Sequence, residues 1–209
     1  RNQSVVLLLD NGRVMAGTVD GVPRVEHAMD AVFAMAHAAT QLGDRVGMLA
    51  FDRQVRSILV PSNAKSQVGR AGEAMFALDP DLAESAYQEA FHQTVARFRR
   101  RSLIVVFTDL VSAAVEQALL PALPILTRRH LVMVAAVQDP SVSRWAHDGP
   151  HEWVGEAFRS AAAANQLHHR RAASARLRAA GAIVVNAEPG RLGVDTVEAY
   201  LEVKASGRL

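Results

Sequence analysis

The sequence has no cysteine and few aromatic residues, two Trp, two Tyr and seven Phe among 209. Without thiols there can be no disulfide, no cysteine nucleophile and no Cys-ligated zinc or iron–sulfur centre. No apolar run approaches the roughly 20 residues that a membrane helix requires. Phosphate cradles are missing too: no Gly-x-Gly-x-x-Gly follows the first apolar run and no Gly-Lys-Ser occurs, which removes dinucleotide and P-loop chemistry. Nor is there a large excess of one charge, because 23 basic against 21 acidic residues leave +2, so no dominant nucleic-acid or lipid partner follows. There is also no initiating Met, and a strand begins almost at once, which predicts a fragment of a longer protein.

What is present is an ordered globular composition, 50% apolar and 21% charged, sufficient for one large domain over residues 1–209. Ser4-Val-Val-Leu-Leu-Leu-Asp10-Asn-Gly-Arg13 is an unbroken branched apolar run that stops in a polar turn, as a strand buried on both faces does. The pattern returns at Leu103-Ile-Val-Val-Phe-Thr108-Asp109, and further apolar strands are expected at Arg45–Phe51, Leu131–Val137 and Ala182–Val185. Val55–Val60 alternates and stops at Pro61, so Asp52-Arg53-Gln54 is expected to be a hairpin turn into an antiparallel edge strand.

Between the strands lie helical patterns. Val25, Ala28, Met29, Val32, Phe33 and Ala36 share one helical face between Pro23 and Gly43. Weaker periodicity spans 62–78, ended by Asp79-Pro80-Asp81. Tyr87, Phe91, Val95 and Phe98 mark the next helix, and Pro121 and Pro124 should kink or split the one over 113–129. A long Ala-rich helical stretch over 141–180 is broken near Gly149-Pro150, and 194–204 closes the chain. Residues 11–21 read as a polar turn.

Strands alternating with helices predict a doubly wound, mainly parallel six-stranded α/β sheet with helices on both faces. Right-handed crossovers around a central first strand give the order 3-2-1-4-5-6, whose reversal lies between the strands ending in Asp10 and Asp109. Two carboxylates at such a point, with Thr108 beside one and Ser85 opening a nearby helix, suit Mg²⁺ or another hard cation. Strand-end Asp residues also cap turns, which is the competing explanation for both, and for Asp52.

Four segments, Val-Val-Leu-Leu-Leu-Asp10-Asn-Gly-Arg-Val-Met15, Gly-Asp-Arg-Val-Gly-Met-Leu-Ala-Phe-Asp52, Phe-Thr-Asp109-Leu and Tyr200-Leu-Glu-Val-Lys-Ala, together resemble the von Willebrand factor A-like domain of domain-of-unknown-function family fifty-eight. In von Willebrand A domains an Asp-x-Ser-x-Ser loop, a Thr and a further Asp form a metal-ion-dependent adhesion site. Asp10 matches the first Asp, Asp109 the last, and Ser85 stands in for the Thr, but Gly12 and Val14 occupy the serine positions. Loss of two hydroxyl ligands predicts a degenerate site at Asp10, Ser85 and Asp109 that binds Mg²⁺ weakly or not at all. Arg13 is then expected to neutralise Asp10.

The resemblance implies a non-catalytic protein-interaction domain that contacts its partner through the rim of Asp10, Asn11, Gly12, Arg13, Ser85, Thr108 and Asp109, within 11–21, 81–85 and 109–112. It also implies a bacterial parent anchored in the membrane by an N-terminal segment, with this domain on the cytoplasmic face, acting with a MoxR-like AAA+ ATPase. The alternative is a Mg²⁺-dependent hydrolase using Asp10 and Asp109.

Other candidates are weaker. Haloacid-dehalogenase-like chemistry needs a second acid where Gly12 stands. His168-His169 and His147/His151 are expected on the surface, Trp145 and Trp153 to anchor the break between them to the core, and the Arg97–Arg101 run to meet a helix dipole, with anion or nucleic-acid binding by Arg97–Arg101 and Arg128-Arg129 as a third, weaker option.

Overall fold

A computed structural model describes residues 2–78, 82–147 and 153–209. In chain order its elements are β1 (Ser4–Asp10), α1 (Arg13–Ala16), β2 (Thr18–Val19), β3 (Val22–Pro23), α2 (Arg24–Gln41), β4 (Arg45–Phe51), β5 (Val55–Ser62), α3 (Gln67–Phe76), α4 (Tyr87–Arg97), β6 (Leu103–Phe107), α5 (Ser112–Ala114), a π-helical turn (Val115–Leu119), α6 (Leu120–Thr127), β7 (Leu131–Val137), α7 (Pro140–His147), α8 (Val154–Ala179), β8 (Ile183–Ala187) and α9 (Leu192–Ala205).

Six strands form one sheet in the order β5-β4-β1-β6-β7-β8, which is the expected 3-2-1-4-5-6 when its strands are counted along the chain. All neighbours are parallel except β4 and β5, joined by the short turn at Asp52-Arg53-Gln54. Strand β1 lies between β4 and β6, its apolar run Val5–Leu9 is covered on both faces, and alternate residues feed two separate cores. Val5, Leu7 and Leu9 pack with α2, α3 and α9, while Val6 and Leu8 pack with α4, α6 and α8. Truncating any of these leucines to Ala would cost about 2–5 kcal/mol through lost transfer energy and the cavity left behind.

Several local expectations are refined. Residues 11–21 hold a one-turn helix and part of the two-residue hairpin β2–β3 rather than a simple turn. The proline-containing helix is split: the π-helical turn ends just ahead of Pro121, whose missing N–H cannot serve a regular α ladder. Phe33 is 38% exposed, because it leans toward α3, where a Cβ on Gly72 would come within 2.8 Å of its ring. Trp145 and Trp153 do not anchor the core: both are exposed, and Trp145 carries the Arg159 guanidinium 5.7 Å from its ring centre. The expected breaks at Asp79-Pro80-Asp81 and Gly149-Pro150, and the residue His151, lie outside the described residues.

Candidate functional site

Register fixes the site. Leu9 pairs with Ala50 of β4 and with Phe107 of β6, so the residues that follow, Asp10 and Thr108, emerge side by side at the carboxyl edge where the sheet order reverses. The two acidic strand ends therefore meet on one rim, as the spacing predicts.

Asp10 is fully buried. Its Oδ1 accepts the Gly12 backbone N–H at 2.9 Å and the Ser85 hydroxyl at 2.5 Å. Its Oδ2 accepts the Tyr87 and Thr108 hydroxyls, both at 2.7 Å, and those two hydroxyl oxygens are 2.8 Å apart. That triangle has three contacts but only two hydroxyl protons, so a proton on Asp10 would complete it. Burial pushes the Asp10 carboxyl up in the same sense, and the donors from Ser85, Thr108, Gly12 and Tyr87 only partly oppose it. Burial and the Asp10 charge in turn push the Tyr87 phenol well above its ordinary value, keeping it a donor.

Gly12 makes this closure possible. A Cβ at that position would lie 2.2 Å from Ser85 Oγ and 3.3 Å from Asp10 Oδ1. Ser85 thus fills the space that a serine in the adhesion-site pattern would use, held there by the Ala83 carbonyl's bond to the Arg13 N–H at 2.9 Å.

Asp109 is handled differently. Its Oδ1 accepts the Leu110 N–H at 2.9 Å and Arg170 Nη1 at 2.6 Å, and its Oδ2 lies 3.3 Å from Arg24 Nε. Arg170, on α8, is itself buried, with Nε on Asn186 Oδ1 at 2.9 Å and Nη2 on the Val137 carbonyl at 2.6 Å. One guanidinium therefore ties the ends of β6, β7 and β8 together.

Arg13 does not neutralise Asp10. It extends into solvent and pairs with Glu84 at 2.9 Å, because Asp10 is already enclosed by hydroxyls and the short helix α1 carries the Arg13 side chain outward. Of the seven rim residues, Asp10, Asn11, Gly12, Thr108 and Asp109 are buried, Ser85 is half-buried and only Arg13 is exposed. The accessible part of this edge is thus Arg13 and Glu84 with Leu82 and Val111, which are 73% and 43% exposed. Asp81 lies outside the described residues.

As arranged, the donor set fits protons and guanidinium groups better than a hard cation, which demands six or more oxygens free to coordinate. Both Asp10 oxygens already receive two donors each, and no group of three or more His, Asp or Glu side chains converges among the described residues. Asp52 serves its turn, accepting the Gln54 N–H at 3.2 Å and Arg56 Nε at 2.6 Å. His168 and His169 are exposed, and His147 turns Nδ1 to the Ser143 carbonyl at 2.7 Å.

Sequence reasoning missed Tyr87, Arg24 and Arg170 as members of the site. Tyr87 was legible only as a core position, although a buried tyrosine hydroxyl must find a partner. Arg170 had a fainter signal: it falls three residues from Leu167 and three from Ala173, on the apolar stripe of its helix, where an unpaired charge would be costly.

The sequence matches the family described as protein of unknown function DUF58 over residues 1–180. No curated protein matches it. Among solved structures, the chain is similar to the conserved hypothetical protein BatB from Bacteroides thetaiotaomicron, with 15% identity, 96% of this chain and 99% of that one covered, and a TM-score of 0.56. It is similar to an aerotolerance-related membrane protein from Bacteroides fragilis, with 14% identity, coverage of 96% and 98%, and a TM-score of 0.55. The VWA domain of SpRpn10 matches at 13% identity, coverage of 96% and 95%, and a TM-score of 0.52. Likeness at such identities speaks for the fold, which is that of a von Willebrand A domain. With that fold, and with the family match covering most of its length, the chain belongs to the DUF58 family as a von Willebrand A-like domain.

Proposed function

We propose that this domain is a non-catalytic protein-interaction module whose metal-ion-dependent adhesion site has been closed from within, and that it acts with a MoxR-like AAA+ ATPase. One observation carries the first half: the two carboxylates that would hold the cation are saturated by the protein's own groups, Asp10 by hydroxyls and Asp109 by Arg170 and Arg24. A von Willebrand A edge that keeps its shape without a cation offers a partner a permanent surface rather than a metal-gated one. Here that surface is the exposed group Arg13, Leu82, Glu84 and Val111. The ATPase partner and a membrane-anchored parent with this domain on the cytoplasmic face rest on the family resemblance. Likeness to a membrane protein's solved domain supports the anchor, and no helix among the described residues is itself long and apolar enough to cross a membrane.

Hydrolase chemistry at Asp10 and Asp109 finds less support, since a nucleophile or metal ligand must have a free lone pair facing substrate. Calorimetric titration with Mg²⁺, Mn²⁺ and Ca²⁺ tests the closed site: no saturable heat is expected, and stoichiometric binding that disappears in Asp10→Ala would reject it. Titrating a MoxR-like ATPase against the domain tests the surface, where Leu82→Asp combined with Arg13→Glu should weaken binding at least about tenfold, the loss expected of central interface residues.

A further inference from the structure

Arg170 has a second aspect. Besides gripping Asp109, it forms part of the wall of a hollow of about 390 Å³ bounded by α7, α8 and β8. That volume is at the small end of the range for small-molecule sites.

The hollow has an unbalanced charge. Behind it, the single carboxylate of Asp109 faces two guanidiniums, Arg170 and Arg24, so the buried cluster carries a surplus positive charge. Arg171 and Arg178 add two more at the wall, and among the described residues no carboxylate lines the hollow. Among the described residues, Asp20 and Glu188 line a separate, more open depression beyond Ser143 and His147, and Asp139 is occupied by the Ser141 N–H and hydroxyl at 2.8 and 2.6 Å.

The donors are also uncommitted. Arg171 makes no hydrogen bond or ion pair with the described residues, and Arg178 has only a long 3.4 Å contact to the Val184 carbonyl. Ser143 Oγ accepts the Gln138 amide at 2.9 Å and so keeps its own proton to give, and His147, with Nδ1 turned to the backbone, leaves Nε2 free. Residues 171 and 178 are two turns apart on α8, about 10 Å along the axis and on the same face. Two guanidinium forks at that separation can take the two ends of a compact polyanion, and the planar fork matches phosphate oxygens in pairs.

We propose that this hollow is a binding site for a small phosphorylated molecule, clasped by Arg171 and Arg178 with Ser143 as a neutral donor. The site shares Arg170 with the closed rim but does not rest on the proposed protein partner.

The test is calorimetric titration of the 209-residue chain with pyrophosphate at low ionic strength, beside inorganic phosphate. One-to-one binding is expected, tighter for pyrophosphate, and weakened at least about tenfold in Arg171→Gln/Arg178→Gln by loss of charge-assisted bonds. Both residues are exposed, so the melting temperature should not move. Arg99→Gln/Arg100→Gln, a second exposed pair outside the hollow, should bind like the parent chain. Absence of saturable heat, retention of binding in the first variant, or equal loss in both would overturn the site.

Discussion

Asp10 and Asp109 end adjacent strands, both are buried, and the fold disposes of their charges by opposite means. Around Asp10 the surroundings are neutral, three hydroxyls and one amide, and burial wins: the carboxyl is driven toward its protonated form. Around Asp109 two guanidiniums supply the countercharge directly. A third carboxylate, Asp44 at the start of β4, sharpens the contrast. Burial would raise it as well, but the Lys204 ammonium, the Tyr200 hydroxyl, both at 2.5 Å, and the Gln3 N–H at 2.9 Å outweigh burial and hold it below the usual carboxylate range. A buried acid is thus held as an anion where a cation touches it, and pushed toward neutrality where only hydroxyls do.

The largest test of this contrast is Arg170→Met. Removing one partner of a buried ion pair leaves Asp109 with Arg24 alone and frees the ends of three strands, so a loss of about 3–5 kcal/mol is expected in urea unfolding. Adding Asp109→Leu to that variant should restore part of it, whereas simple additivity would mean the pair is not coupled.

Next comes Asp10→Ala, which removes the acceptor of three hydroxyls and an amide and should cost about 2–3 kcal/mol, while Asp10→Asn, which can still accept from Gly12 and Ser85, should cost roughly 1 kcal/mol or less at neutral pH. A loss in Asp10→Asn as large as in Asp10→Ala would mean that the charge, not the hydrogen bonding, matters there.

Gly12→Ser is expected to cost about 1–3 kcal/mol by overpacking against Ser85 Oγ, and Ser85→Ala in the same chain should recover most of it. Thermal melts of the two variants suffice, and an unaffected single variant would show that Ser85 moves aside freely.

The smallest effect concerns pH. A carboxyl whose folded pKa is raised takes up its proton more readily folded than unfolded. Its contribution is therefore fully present below the unfolded value of 3.8 and is lost as pH rises through the folded value. Asp44 has the opposite sign, contributing above 3.8 and losing that contribution as pH falls through its lowered folded value. Stability of the parent chain minus that of Asp10→Asn should accordingly fall with rising pH, while the same difference for Asp44→Asn should rise. Parallel slopes would remove the distinction between the two environments.

The family match ends at residue 180, yet the sheet and one core do not. Strand β8 pairs with β7 across five positions, and Tyr200 of α9 is fully buried with its hydroxyl on Asp44. The last segment therefore closes one face of the fold and holds the amino edge of the sheet to it.

Much of this was legible along the chain because it depends on short-range pattern. Runs such as Val5–Leu9 and Leu103–Phe107 are apolar at every position, which only a strand covered on both faces tolerates, and the alternation of such runs with helices leaves few topologies. Asp10 and Asp109 as meeting strand ends followed from that order alone. What did not follow was the way each is satisfied. The two tryptophans, expected to anchor the core from their position beside Gly149-Pro150, are exposed instead, because aromatic character alone does not say whether another element covers a side chain.

By itself, then, the sequence determined the strands, their order and the two carboxylates at the reversal point, because periodicity and crossover handedness are local rules. Only the tertiary structure decided that Arg170, 61 residues beyond Asp109, reaches back to neutralise it, that Ser85 occupies the space left by Gly12, and that Arg13 turns outward to Glu84. Those are long-range pairings, and the energy that selects a partner for a buried charge exists only once packing has removed the water.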